Sequence, residues 1–159
     1  ATLTQAQDFR GLDKSPMDRV FYPTSNRETD KAIVITYSRS QLKGRNLETL
    51  VPTYKIWRTG ANEATTLELS KDAKVGELDV KAGKYALFTI PGKSEWTIII
   101  NSNAKQWGAY DYDKSKDIGR FKVSTTSLDD VTESFAINIS DAGVVSLVWD
   151  QTKVEFTIK

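Results

Sequence analysis

From Ala32 onward the chain alternates apolar and polar residues with a period of two, and this pattern leaves few folds open. In "AIVITYS" the residues Ile33, Ile35 and Tyr37 share one face. "TTLELS" does the same with Leu67 and Leu69, "FAINIS" with Phe135, Ile137 and Ile139, and "KVEFTI" with Val154, Phe156 and Ile158. Successive side chains of a strand point to opposite faces, so this pattern predicts half-buried antiparallel strands. "KYALFTI" and "EWTIII" are apolar on both faces, which predicts central strands, with Pro91-Gly92-Lys93-Ser94 as the hairpin turn between them. Ala142-Gly143 predicts another turn before "VVSLVW", and Gly76, Gly83 and Gly119 punctuate further short runs. Helical pieces are expected only around Leu47 to Leu50 and Asn103 to Gln106. About nine short strands at regular spacing predict an all-β fold, an antiparallel β-sandwich that is jelly-roll-like, with one or two short helical turns.

The first 31 residues lack this rhythm. "FRGLDKSPMDRVFYPTS" reads as neither a good helix nor a good strand, so residues 1–31 are expected to form an irregular arm packed on the core through Phe9, Met17, Phe21 and Tyr22. Residues 32–159 then form the sandwich, and the 159 residues make one domain overall.

Composition excludes more than it assigns. The chain has no His and no Cys, which removes Ser-His and Cys-His catalysis and the common zinc and haem sites. Lys and Arg number 22 against 21 Asp and Glu, so there is no basic footprint for nucleic acid. No apolar run has the length of a transmembrane helix. The first residue is Ala1, as after cleavage at a small-residue signal site, which gives an expectation of export.

Several constellations are candidates for chemistry. Ser40-Gln41-Leu42-Lys43 matches the S-x-x-K pattern of Ser-Lys acyl enzymes, in which the lysine must be desolvated to act as a base, but it lies in the basic segment "SRSQLKGR". Asp111, Asp113, Ser115 and Asp117 have the spacing that opens a calcium loop. The pattern then fails, with Lys116 where Gly is needed and Lys122 where the bidentate Glu belongs, so a solvated turn is the main expectation and Asp111, Asp113 and Asp117 a weak metal candidate. Glu63, Asp111 and Asp113 are the acids that a two-carboxylate hydrolase would use. Trp57, Trp96, Trp107, Tyr110 and Tyr112 form an aromatic set that either packs the core or offers stacking platforms.

The stretch "WRTGANEAT", Trp57 to Thr65, concentrates these features. Gly60 permits a close backbone approach, Asn62 tolerates a left-handed turn, and Arg58 and Glu63 are able to pair, all of which suits a structural corner. Its density of polar groups exceeds what a hairpin needs. Arg39, Arg45 and Arg58 beside Asn62 and Glu63 would suit a carboxylate or sulfate through forked donors, with Trp57, Trp107 and Tyr110 as the aromatic part of the same candidate site. Corner and site both stand at this point.

Six stretches, "LDKSPMD", "YSRSQLKGR", "LVPTYKIWRTGANEAT", "AGKYALFTIPGKSEWTIIIN", "QWGAYDYDKSKD" and "VWDQTKVEFTI", closely resemble an uncharacterised family of small exported proteins of Gram-negative bacteria, domain of unknown function 2911. The resemblance runs in order over nearly the whole chain. It departs at Ser40, where the family commonly has Pro, and at Pro52 to Arg58, where the family usually reads "PYGKVWR". The resemblance implies a removed signal peptide or lipoprotein signal and a periplasmic or extracellular place, and it implies no catalytic residues.

Together these readings predict a non-catalytic binding module for a glycan, a peptide or a small anionic ligand, with no cofactor. Two alternatives remain: a carboxylate-dependent hydrolase or lyase using Glu63, Asp111 and Asp113, and a structural or assembly module of the envelope in which Arg58 and Glu63 are buried together.

Overall fold

The described residues form ten strands, the period-two segments among them: β1 (Met17–Tyr22), β2 (Ile33–Ser38), β3 (Thr66–Leu69), β4 (Ala73–Val75), β5 (Leu78–Val80), β6 (Gly83–Ile90), β7 (Glu95–Asn101), β8 (Asp117–Ser124), β9 (Thr126–Ile139) and β10 (Val144–Thr157). One helical turn, α1 (Leu47–Leu50), and a 3-10 turn at Lys114–Lys116 complete the elements among the described residues. The structure is a computed structural model and describes residues 8–159; the expectation built on Ala1 and the start of the arm lies outside the described residues.

All pairings are antiparallel. Six strands form one sheet in the order β1-β2-β3-β6-β7-β8. Facing it are the long hairpin of β9 and β10 and the small β4-β5 hairpin, which joins β10 through Val75 opposite Ile158 and through the Gly76 amide donating to the Thr157 carbonyl. The result is an all-β sandwich.

The main core lies between the layers, where alternation aims it. Ile33, Ile35, Leu67, Leu69, Leu87, Ile98 and Ile100 from the sheet meet Phe135, Ile137, Leu147, Val154 and Phe156 from the hairpin, all buried. Burying each such side chain contributes about 1.5–3 kcal/mol. Trp57, Trp96, Trp149 and Phe135 form an aromatic centre: Trp57 stacks on Trp149 with ring centroids 5.8 Å apart and meets Trp96 edge-on at 5.9 Å. A second, smaller cluster sits on the sheet's other face, where Ala86, Phe88 and Ile99 are covered by Ala64, Ile56 and Tyr112. This explains why β6 and β7 are apolar on both sides: they are central strands, and both faces are covered.

Three expectations are corrected here. Part of the segment 1–31 is a strand: β1 pairs with β2 along its whole length, with Val20 and Tyr22 packed against the core. Pro16 and Pro23 flank this strand, where an edge position tolerates residues that cannot donate to a ladder. Phe9 and Met17 do not pin an arm, since they are 78% and 59% exposed. Asn103 to Gln106 is irregular rather than helical: the Asn103 amide donates to Asn101 Oδ1 and the Gln106 carbonyl accepts from the Ala64 amide, so neither backbone group enters a helical turn.

Candidate functional site

The Trp57-to-Thr65 stretch folds back on itself, and its small residues make the corner. Trp57 exchanges both backbone hydrogen bonds with Thr89 in β6, at 2.8 and 3.0 Å. Its indole Nε1 donates to the Gly60 carbonyl at 3.1 Å, which folds the loop over the ring. Thr65 Oγ1 donates to the Thr59 carbonyl at 2.6 Å, and Thr59 Oγ1 to Thr89 Oγ1 at 3.1 Å. Gly60 is required at this corner: a Cβ there would lie 2.9 Å from the Ser38 carbonyl oxygen. Asn62 takes φ +58°, the left-handed turn conformation expected of it.

The corner throws its polar side chains into different places. Arg58 is held by the Thr65 amide, which donates to the Arg58 carbonyl at 3.1 Å, and its side chain lines a pocket of about 320 Å³. Arg45, Ser40, Gln41, Trp57 and Trp149 share that pocket. Leu50 and Val51, at the end of α1, also line it. Asn46 caps this turn, its Oδ1 accepting from the Thr49 amide at 2.8 Å, and the Asp150 carboxylate accepts from the Leu47 amide at 3.0 Å. Among the described residues no Asp or Glu lines the pocket.

Arg58 itself is half-buried, and its Nε is buried with no hydrogen-bond partner. Desolvation holds its pKa below the usual guanidinium value, with the nearby Tyr110 phenol opposing that shift, and the group stays cationic at neutral pH. Buried charges are ordinarily paired and buried donors ordinarily bonded. Arg58 is neither among the described residues. Arg45, at the mouth, spends Nε and Nη2 on the Leu42 and Gln41 carbonyls at 2.8 and 3.2 Å.

Glu63 does not join Arg58. It is exposed, forms no ion pair with Arg58 and bridges to Trp107 through the backbone. Both line a separate groove of about 440 Å³ on the outer face of the six-stranded sheet. Arg39 also leaves the cluster: its Nε donates to the Phe135 carbonyl at 3.0 Å and its Nη1 reaches Asp18 at 3.5 Å. Asn62 Nδ2 bonds Asp13 at 3.3 Å, and Tyr110 is 87% exposed beside the Arg58 pocket without lining it. The eight residues expected as one site therefore divide, and Arg45, Trp57 and Arg58 are the three brought together. Of these, Trp57 is chiefly a core residue at 7% exposure.

The other candidates separate too. Lys43 is exposed, so the S-x-x-K lysine is not desolvated; Ser40 and Gln41 instead line the Arg58 pocket. Asp113 Oδ1 caps the 3-10 turn by accepting from the Ser115 amide at 2.9 Å. Asp117 accepts from Arg120 Nε at 2.8 Å, from Tyr112 at 2.7 Å and from Asn101 at 2.9 Å. No group of acids suited to a metal forms among the described residues. Pattern matching reads Ser40 and Gln41 as part of an acyl-enzyme motif; the signal for their place in the pocket is their position between Arg39 and Arg45 in "SRSQLKGR".

A family described as "Protein of unknown function (DUF2911)" matches residues 15–158. The chain belongs to this family. The match takes in both layers of the sandwich and the whole Arg58 pocket. Comparison with curated proteins and with solved structures gave no match.

Proposed function

We propose that this member of the family is a non-catalytic binding module whose pocket takes a small carboxylate ligand on Arg58. The observation that carries this reading is the buried Arg58 Nε without a partner, in a pocket that offers two guanidinium groups and no acid among the described residues. A carboxylate accepting from Nε and a terminal nitrogen would satisfy the orphaned donor and the charge together, which is the bidentate geometry arginine provides. Ser40 and Gln41 add neutral hydrogen-bonding groups, and the flank of Trp57 and Trp149 gives an apolar wall for the body of the ligand.

The same proposal places the module outside the cytoplasm, in the periplasm or beyond, on the strength of the sequence's resemblance to exported bacterial proteins. The hydrolase alternative draws less support: the groove that takes Glu63 holds no second carboxylate among the described residues, and Asp113 is spent on a turn cap.

The test is calorimetric titration of the folded protein with acetate, succinate, benzoate and sulfate, in wild type and in Arg58→Gln. Saturable binding of at least one carboxylate to wild type, lost in Arg58→Gln and weakened in Arg45→Gln, is the expected result. Wild type that binds none of them at millimolar concentration would reject the reading.

A further inference from the structure

The outer face of the six-stranded sheet carries a second feature that the Arg58 pocket does not use. Trp107 stands 59% exposed, whereas Trp57, Trp96 and Trp149 are buried. An exposed indole on an ordered backbone is a flat apolar face that a ligand is able to stack on. The backbone here is ordered on both sides: the Ala64 amide donates to the Gln106 carbonyl and the Gly108 amide to the Asn62 carbonyl, both at 2.9 Å. Trp107 is thus held rigidly as one wall of the 440 Å³ groove, and Met17 at the edge strand is another.

The floor of this groove is hydroxyl-bearing. Thr36 and Thr66 are direct cross-strand partners, and Ser38 follows two residues along β2 on the same face. Hydroxyls at the neighbouring corner are engaged, as Thr59 and Thr65 show. Those of Thr36, Ser38 and Thr66 form no side-chain hydrogen bond among the described residues. At the rim stand Glu63, Lys84 and Lys105, a carboxylate acceptor and two ammonium donors, and none of them is in an ion pair among the described residues.

We infer that this groove is a saccharide-binding subsite, in which the apolar face of one sugar ring stacks on Trp107 while its hydroxyls bond Thr36, Thr66 and the charged rim. The chemistry selects a sugar over other occupants. A flat apolar platform beside hydroxyls that are unengaged among the described residues, with charges of both signs, matches a ring with one C–H face and an equatorial belt of donors and acceptors. A peptide strand would instead seek free backbone groups at the sheet edge, and a simple anion would have no use for the indole. This site is separate from the Arg58 pocket and stands or falls independently of it.

The test exploits the indole itself. Acrylamide quenching of intrinsic fluorescence reports chiefly on the exposed Trp107. It is measured with and without hexasaccharides of β-1,4-glucose and of N-acetylglucosamine and a hexamer of an acidic uronate sugar. Protection of Trp107 by at least one of these is expected. Trp107→Ala should weaken that binding, measured by calorimetry, by roughly tenfold or more, the size of one lost aromatic contact and its hydration. The double variant Thr36→Val, Thr66→Val keeps shape and fold and should weaken it several-fold, while Arg58→Gln leaves it unchanged. No protection by any of the sugars on folded protein overturns the inference, and so does full affinity in the Thr36→Val, Thr66→Val variant.

Discussion

Replacing Arg58 by Met should make the ligand-free protein more stable. Met keeps most of the aliphatic stem and its contacts along the pocket wall, but removes the guanidinium. What is lost is a buried Nε–H with no partner and a half-buried charge with no acid lining its pocket among the described residues. A buried donor left unbonded costs about 1–3 kcal/mol. The outer nitrogens of Arg58 retain water, so the lower part of that range applies, and the expected gain is about 1–2 kcal/mol. In a domain of this size that gain is a rise in melting midpoint of roughly 2–8 °C. The assay is urea and thermal unfolding in a buffer free of carboxylate, phosphate and sulfate. A carboxylate at about a hundred times its Kd should then stabilise wild type by about 2.7 kcal/mol and Arg58→Met not at all. A midpoint for Arg58→Met that stays level or falls would refute the reasoning, because Arg58 would then be holding the fold together rather than waiting for a ligand.

Three further outcomes follow from the same structure. Trp57→Ala should cost about 3–5 kcal/mol in urea unfolding, since it empties the centre of the Trp96–Trp149–Phe135 cluster, so loss of binding in that variant reports on folding and not on the site. Glu63→Gln should leave the unfolding midpoint within about 0.5 kcal/mol of wild type, because Glu63 is exposed and not paired with Arg58; a larger loss would revive the buried-corner reading. Burial, together with the Asp117 carboxylate that accepts its hydrogen bond, pushes the pKa of the Tyr112 hydroxyl up to about 12, against the opposing effect of Arg120. A raised folded-state value stabilises the protein fully below pH 10, where the unfolded phenol is still protonated, and this contribution is lost as pH rises to about 12. Ultraviolet titration should show one late phenol that disappears in Tyr112→Phe, and wild type should lose more stability than Tyr112→Phe between those two pH values.

The fold was largely legible because its strands alternate cleanly. Ile33, Ile35 and Tyr37, or Phe135, Ile137 and Ile139, can be buried together only in extended backbone beneath a second layer. β1 was not legible, because "MDRVFY" is an edge strand between two prolines and owes its conformation to pairing with β2 rather than to its own pattern. The polar run "TSLDDVTES" in β9 is similar: it is extended because Val144–Thr157 pairs with it, and no hydrophobic face marks it. At the site, the sequence identified the right arginine within the wrong grouping. Arg58 and Glu63 are close in the chain, but the turns at Thr59 and Asn62 send them to opposite grooves. Arg39 was expected beside them, yet the end of β2 delivers it to the Phe135 carbonyl and Asp18. Such divisions depend on backbone turns between residues, and composition and spacing do not encode them.

The most direct measurement is the Nε–Hε resonance of Arg58 in a nitrogen-15 correlation spectrum, followed as succinate or benzoate is added to ligand-free protein. The account predicts that this resonance moves downfield and saturates with the calorimetric affinity, while the Arg39 Nε–Hε resonance, already bonded to a carbonyl, stays in place. An Arg58 signal that does not respond while a carboxylate demonstrably binds elsewhere on the folded protein would contradict it.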